Sequence, residues 1–177
     1  PSNPSPARSN NPPMSLKPLV TIRSVLLSDL PVFFQHQQDS QANHMAAFTA
    51  PNPADLSAFN AHWQSIMNDP TVITRTILAD NHVAGNMVSF VTLGEREVGY
   101  WLGREFWGRG VATAALTDFL HQLTTRPLYA RAASDNHASI RVLEKCGFTR
   151  IGTSMAFAEA RGMEIEEVIM QLTAPST

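Results

Sequence analysis

An α/β domain built on a mixed sheet is the fold class this sequence predicts, and three observations carry it. Segments rich in β-branched residues alternate with segments whose apolar residues recur at helical spacing, in the order β-α-α-β-β-β-α-β-α-β-β. The 177 residues suffice for one domain with a substantial core and fall short of two ordinary ones. Apolar residues make up 44% of the chain, enough to exclude wholesale disorder.

The stretch 1–15 carries five of the twelve prolines and almost nothing to bury, so residues 1–16 are expected to be a disordered leader and 17–174 the folded domain. Leu19 to Val25 is a β-rich run. Ser28 and Asp29 can cap a helix running to about Gln38, with Pro31 in its first turn, where a missing N–H costs little. Residues 41–53 show only a vague pattern and are expected to be loop-rich. Asp55 to Met67 places Leu56, Phe59, Trp63 and Ile66 at helical spacing. Strands are expected at Thr71–Leu78, Val83–Leu93 and Glu97–Leu102, with a turn at Asp80-Asn81. A helix from Gly110 to Leu123 carries a broad apolar stripe that includes Val111, Leu116, Phe119 and Leu120. A short strand at Pro127–Ala132 precedes a helix at Asn136–Lys145, which Gly147 stops. Strands at Thr149–Phe157 and Ile165–Leu172 close the domain.

Charge and cysteine usage exclude several function classes. Thirteen Lys and Arg against fifteen Asp and Glu give a formal charge of -2, without the basic surplus that marks a nucleic-acid binder. The single cysteine, Cys146, rules out an intrachain disulfide framework and a multi-cysteine zinc site, and it suits a reducing cytosol. The six histidines form no metal motif, so no metal is expected. No apolar run is long enough to cross a bilayer, and no secretory pattern opens the sequence, so the expected address is cytoplasmic.

The segment REFWGRGVATAAL, 104–116, places two glycines between a strand and a helix. A helix start offers unpaired N–H groups and a partial positive end, which together hold anions. Gly108 and Gly110 permit tight backbone geometry and let a phosphate approach, Arg109 adds charge at the rim, and Val111, Ala112 and Thr113 extend the cradle. It lacks the third glycine of a dinucleotide fingerprint and the Gly-Lys-Ser/Thr ending of a P-loop. A plain turn is the competing reading. The next helix opens with Asn136 and Ser139, three positions apart on one side. Two such helix starts beside one sheet suit a ligand with a pyrophosphate and a peptide-like arm.

W-G-R-G-V-A-T followed by N-x-x-S-x-R-x-x-E-K-x-G-F resembles the GNAT acetyltransferase superfamily, in its ribosomal-protein-alanine acetyltransferase-like (RimJ/RimL-like) branch. The resemblance covers roughly residues 18–173. It implies a single domain whose mixed, mostly antiparallel sheet splays in a V, flanked by helices, with acetyl-CoA in the opening. Its pyrophosphate would rest on Trp107, Gly108, Arg109, Gly110, Val111 and Ala112. The strand through Val98, Gly99, Trp101 and Leu102, bulged in this family, would follow the pantetheine arm, and Asn136 would contact that arm. Ser139 matches a position proposed in some relatives to protonate the departing thiolate. Glu105 departs from the Gln or Arg often found there, and Ala114 from a Glu, so the backbone must carry more of the phosphate binding.

The implied reaction is direct attack of an amine on the thioester, with the oxyanion met by a backbone N–H near Tyr100 or Trp101 and the amine's proton taken by a base or a water chain. Glu97 leads as base, with Glu95 behind it; a hairpin carboxylate in solvent is the competing reading. Alternation puts Glu97, Gly99 and Trp101 on one strand face and Val98, Tyr100 and Leu102 on the other, so core packing of Trp101 would turn Glu97 away. Ser139 is weighed as thiolate acid against a simple helix-start hydroxyl, and Tyr100 as hydroxyl donor against core. Arg141 and Lys145 either meet the adenosine phosphate or face solvent. Cys146 reads as packing, His137 as solvated, and Phe59, Trp63 and Ile66 as either cleft wall or core. The resulting expectation is an acetyl-CoA-dependent N-acetyltransferase for a protein N-terminus or a small amine, with a homodimer as the default assembly. An acyl-CoA-binding regulatory domain without turnover is the alternative.

Overall fold

The computed structural model describes residues 17–173. The expected leader, 1–16, and residue 174 of the expected domain lie outside them. Among the described residues seven strands form one sheet: β1 (Val20–Arg23), β2 (Ile73–Ala79), β3 (His82–Thr92), β4 (Glu95–Leu102), β5 (Leu128–Ala133), β6 (Thr149–Ala158) and β7 (Met163–Leu172). Their order across the sheet is β1-β2-β3-β4-β5-β7-β6. Every neighbouring pair is antiparallel except β4 and β5, which run parallel and pair only at Glu97 and Tyr129. Beyond that point the two strands part, and this is the V.

Among the described residues five α-helices cover the sheet: α1 (Leu30–Gln37), α2 (Ser40–Ala46), α3 (Leu56–Asn68), α4 (Val111–Gln122) and α5 (His137–Lys145). Adjacent residues on β3 show how they divide. Ala84 belongs to the core under α4 and α5, with Leu116, Phe119, Leu143 and Met170, whereas Val83 packs with Phe33, Phe59 and Trp63 of α1 and α3. Successive strand residues point to opposite faces, so the two helix groups sandwich the sheet. Phe59, Trp63 and Ile66 are therefore core.

Gly85 is required where β3 meets β4, because a Cβ there would lie 1.9 Å from the Trp101 carbonyl oxygen. β3 and β4 pair without a register shift from Gly85–Leu102 to Thr92–Glu95, so β4 carries no bulge against β3. Its hairpin turn sits at Leu93-Gly94, both in left-handed conformation, and β4 consequently starts two residues earlier than expected.

Two local readings are corrected. Residues 41–53 are not all loop, since α2 occupies Ser40–Ala46. Asp39 caps it by accepting from the Ala42 N–H at 2.8 Å, and Asn43 anchors it by donating to the Gln37 and Asp39 carbonyls. A helix of seven residues is too short to show an apolar period. Asp29 does not cap α1. Its carboxylate, 2% exposed, instead takes both guanidinium nitrogens of Arg23 at 2.6 and 2.8 Å, the Thr76 hydroxyl at 2.6 Å and the Leu26 N–H at 2.9 Å.

Candidate active site

The parting of β4 from β5 opens a cleft of about 660 Å³. One side of it is the glycine joint. Gly108 and Gly110 have φ of +70° and +78°, and Gly110 is the residue from which α4 starts. The first intrahelical bond runs from the Ala114 N–H to the Gly110 carbonyl, and no side chain caps the helix, so the N–H groups of Val111, Ala112 and Thr113 precede the ladder. Nothing lies within 4 Å of where a Cβ on either glycine would project. Trp107 ties the loop to β4 by donating its indole N–H to the Leu102 carbonyl at 3.2 Å.

Of the predicted contact residues, Val98, Gly99, Tyr100, Trp101, Leu102, Trp107, Gly108, Gly110, Val111, Ala112, Thr113, Asn136 and Ser139 all line this cleft, as does Glu97. Arg109 does not; its guanidinium lies 5.9 Å from the Phe106 ring centroid, on the exposed loop. Glu105 also turns away from the cleft, toward His36 at 3.6 Å. Burial holds the His36 imidazole below its ordinary range, more than Glu105 raises it. Arg141 and Lys145, on α5, are lining residues and are the cations that border the cleft besides Arg131.

The start of α5 presents the second group of polar atoms. Asn136 accepts from the Ser139 N–H at 3.1 Å and donates to the Met45 carbonyl at 3.0 Å, so its amide caps one helix and tethers another. Ser139 Oγ lies 3.1 Å from the Tyr100 hydroxyl. Burial pushes the Tyr100 phenol above its ordinary range, against the lowering effect of Ser139, so at neutral pH it stays protonated. Cys146 is half-buried, with its sulfur 3.7 Å from the Thr113 carbonyl and from the Thr117 hydroxyl; burial raises its thiol, as suits packing rather than nucleophilic work.

On the opposite sheet face the cleft is walled by Met45 of α2, Phe48 and Phe90. Trp101 does not pull Glu97 away: both belong to the face opposite Val98, and both border the cleft. Glu97 is 8% exposed and accepts from Arg131 Nε at 3.1 Å. Arg131 also donates to Glu167 at 2.9 Å, and Glu167, 7% exposed, accepts from the Ser154 hydroxyl at 2.7 Å. Sequence reasoning missed Arg131 and Glu167. Their only signal was one arginine inside the strand run LYARAA and one of three glutamates in EIEEVIM. Among the described residues, no group of three His, Cys, Asp or Glu could hold a metal ion. No helix among them is long and apolar enough to cross a membrane.

A model of the acetyltransferase (GNAT) domain matches residues 20–149. The chain belongs to the GNAT acetyltransferase family. A Bacillus subtilis (strain 168) protein named "Putative ribosomal N-acetyltransferase YdaF" is 28% identical over 137 residues, 71% of this chain and 74% of that protein. Among solved structures, Mycobacterium smegmatis RimJ in complex with CoA-disulfide superposes with a TM-score of 0.74 at 22% identity, over 88% of this chain and 82% of that one. Spermidine N-acetyltransferase from Vibrio cholerae, with CoA and spermine, gives 0.77 at 14% identity, over 89% and 96%. At such identities the likeness is one of fold. As a GNAT acetyltransferase the protein uses acetyl-CoA as cosubstrate. The cleft fits that molecule: the open space over two glycines and three N–H groups ahead of the α4 ladder suit a pyrophosphate.

Proposed function

We propose that this GNAT acetyltransferase acetylates the primary amine of a protein or peptide N-terminus by direct attack on the thioester. The observation that carries it is that the glycine cradle, the Tyr100–Ser139 pair and the unpaired edge of β4 share one cleft. Acetyl-CoA supplies an acetyl group activated as a thioester. The N–H groups of Val111, Ala112 and Thr113, with the turn at Gly108 and Gly110, hold its pyrophosphate. Arg141 and Lys145 add charge on that side. The edge of β4 from Val98 to Leu102, which has no partner in β5, hydrogen-bonds the pantetheine arm and meets charge developing on the carbonyl oxygen. Ser139 donates a proton to the departing sulfur, and the Tyr100 hydroxyl, neutral and 3.1 Å behind it, orients and resupplies that donor. Glu97 lies on the acceptor side of β4, where it or a water held on it receives the amine's proton.

An N-terminal acceptor is favoured because the acceptor walls are apolar, at Met45, Phe48 and Phe90. The carboxylates among the lining residues are Glu97 and Glu167, which with the guanidinium they share carry a net charge of -1, a match for one ammonium and not for the second or third of a polyamine. The naming of the B. subtilis relative supports the same acceptor class. The test is release of CoA thiol from acetyl-CoA with peptide amides, spermidine and simple alkylamines. Turnover that depends on the peptide amine supports the reading. Tight acetyl-CoA binding without release by any amine would make the protein a binding module instead.

A further inference from the structure

On the assumption that the acceptor is an amine, as proposed above, we infer that Glu167 selects it. Glu167 holds the acceptor as an ammonium, and it disfavours amines that carry a carboxylate beside the nitrogen. The argument starts from charge count. Glu97 on β4, Arg131 on β5 and Glu167 on β7 meet on one face of the sheet, at the level where β4 and β5 cease to pair. Two carboxylates share one guanidinium, so the group carries a net charge of -1. The cations that border the cleft elsewhere, Arg141 and Lys145, lie on α5, against the other sheet face. The cleft thus has an anionic floor on the acceptor face and cationic groups on the cofactor face.

The geometry makes that floor a fixed acceptor of hydrogen bonds. Arg131 engages Glu97 through Oε1 and Glu167 through Oε1, and Ser154 donates to that same Glu167 oxygen. The second oxygen of each carboxylate has no hydrogen-bond partner among the described residues. Arg131, partly exposed itself, is a positioning residue: it holds both carboxylates in place and does not neutralise them fully. Ordered carboxylates under 10% exposed attract an ammonium more strongly than solvated ones do, and they repel a nearby carboxylate by the same amount. The apolar flanks at Met45, Phe48 and Phe90 offer no cation to offset that repulsion. A peptide N-terminus, whose neighbouring group is a neutral amide, meets both conditions. A free α-amino acid does not.

The experiment compares alanyl-alaninamide with free alanine as acceptors, in the wild-type chain and in Glu167→Gln, following CoA thiol release. The wild type is expected to favour the dipeptide amide by at least tenfold in kcat/KM. Glu167→Gln is expected to raise KM for the amide about tenfold, to narrow the preference, and to leave acetyl-CoA affinity within about twofold. Equal use of the two acceptors by the wild type overturns the assignment even if the variant does not fold. An unchanged KM in a folded Glu167→Gln also overturns it, with amine acetylation left standing. Absence of release with every amine removes amine acetylation and this assignment together.

Discussion

The Tyr100 hydroxyl and Ser139 Oγ stand 3.1 Å apart, joining the middle of β4 to the first turn of α5 inside the cleft. One of the two residues comes from a strand and the other from a helix 39 positions later. A helix-start serine alone would be an ordinary hydroxyl. In the reaction proposed above, the buried phenol, which stays protonated, backs Ser139 as the donor to the departing thiolate.

Replacing Ser139 with Ala is expected to lower kcat by about tenfold to a hundredfold, at or below the low end of what a positioned acid contributes, because water can partly substitute. Acetyl-CoA affinity should change little. Tyr100→Phe is expected to give a smaller loss, and the double variant to lose no more than Ser139→Ala alone. Steady-state kinetics with binding titrations checks both. Full additivity would show that the two hydroxyls act separately.

Gly110 has φ of +78° at the start of α4, a conformation that costs a residue with a Cβ about 1–2 kcal/mol. The space above it is open, so a side chain would project into the room proposed above for the pyrophosphate. Gly110→Val is expected to weaken acetyl-CoA binding by tenfold or more while the chain remains folded. Isothermal titration on the folded variant decides it; unchanged affinity would remove the cradle assignment.

Arg161 clasps α2 to the far end of the sheet. It donates to both carboxylate oxygens of Asp135 at 2.7 and 3.0 Å and to the His44 carbonyl at 2.9 Å. Because α2 supplies Met45 to the cleft wall, Arg161→Ala is expected to raise the acceptor KM severalfold and to spare acetyl-CoA binding. Faster amide exchange across Ser40–Ala46 should accompany the change.

Asp29 predicts an acid limit for stability. Burial would raise its carboxyl, but Arg23, Thr76 and the Leu26 N–H outweigh that and bring the pKa down from 3.8 to about 2. A lowered folded-state value stabilises the fold above the unfolded-state pKa, near 4, and that contribution disappears as pH falls through 2. It amounts to about 2 kcal/mol at neutral pH. Asp29→Ala should lose at least this much, since it also leaves the fully buried Thr76 hydroxyl without its partner. Urea melts at pH 7 and pH 3 check it, the difference between wild type and variant shrinking at the lower pH.

Local chemistry made much of the fold legible in the chain. The apolar stripe of α4, the Asp55 and Asn136 caps and the β-branched runs of β2 and β3 carry their own signals, because period and capping are decided within a few residues. The paired motifs at 107–113 and 136–148 did the same for acetyl-CoA, since the N–H groups at the start of α4 and the polar side chains at the start of α5 belong to their own segments. α2 escaped because seven residues show no period and its stability comes from Asp39, Asn136 and Arg161, two of them distant in sequence. Asp29 looked like a cap until Thr76, 47 residues away, was seen to compete for it. The same limit hid Arg131 and Glu167, which as sequence are two charges in two strands. Only the sheet order, with β7 laid beside β5 and β4 parting from β5 beyond Glu97, turns them into one anionic floor. What each segment becomes follows from near neighbours along the chain, but charge pairing across a sheet depends on register and on which face each strand presents. Those are properties of the assembled fold.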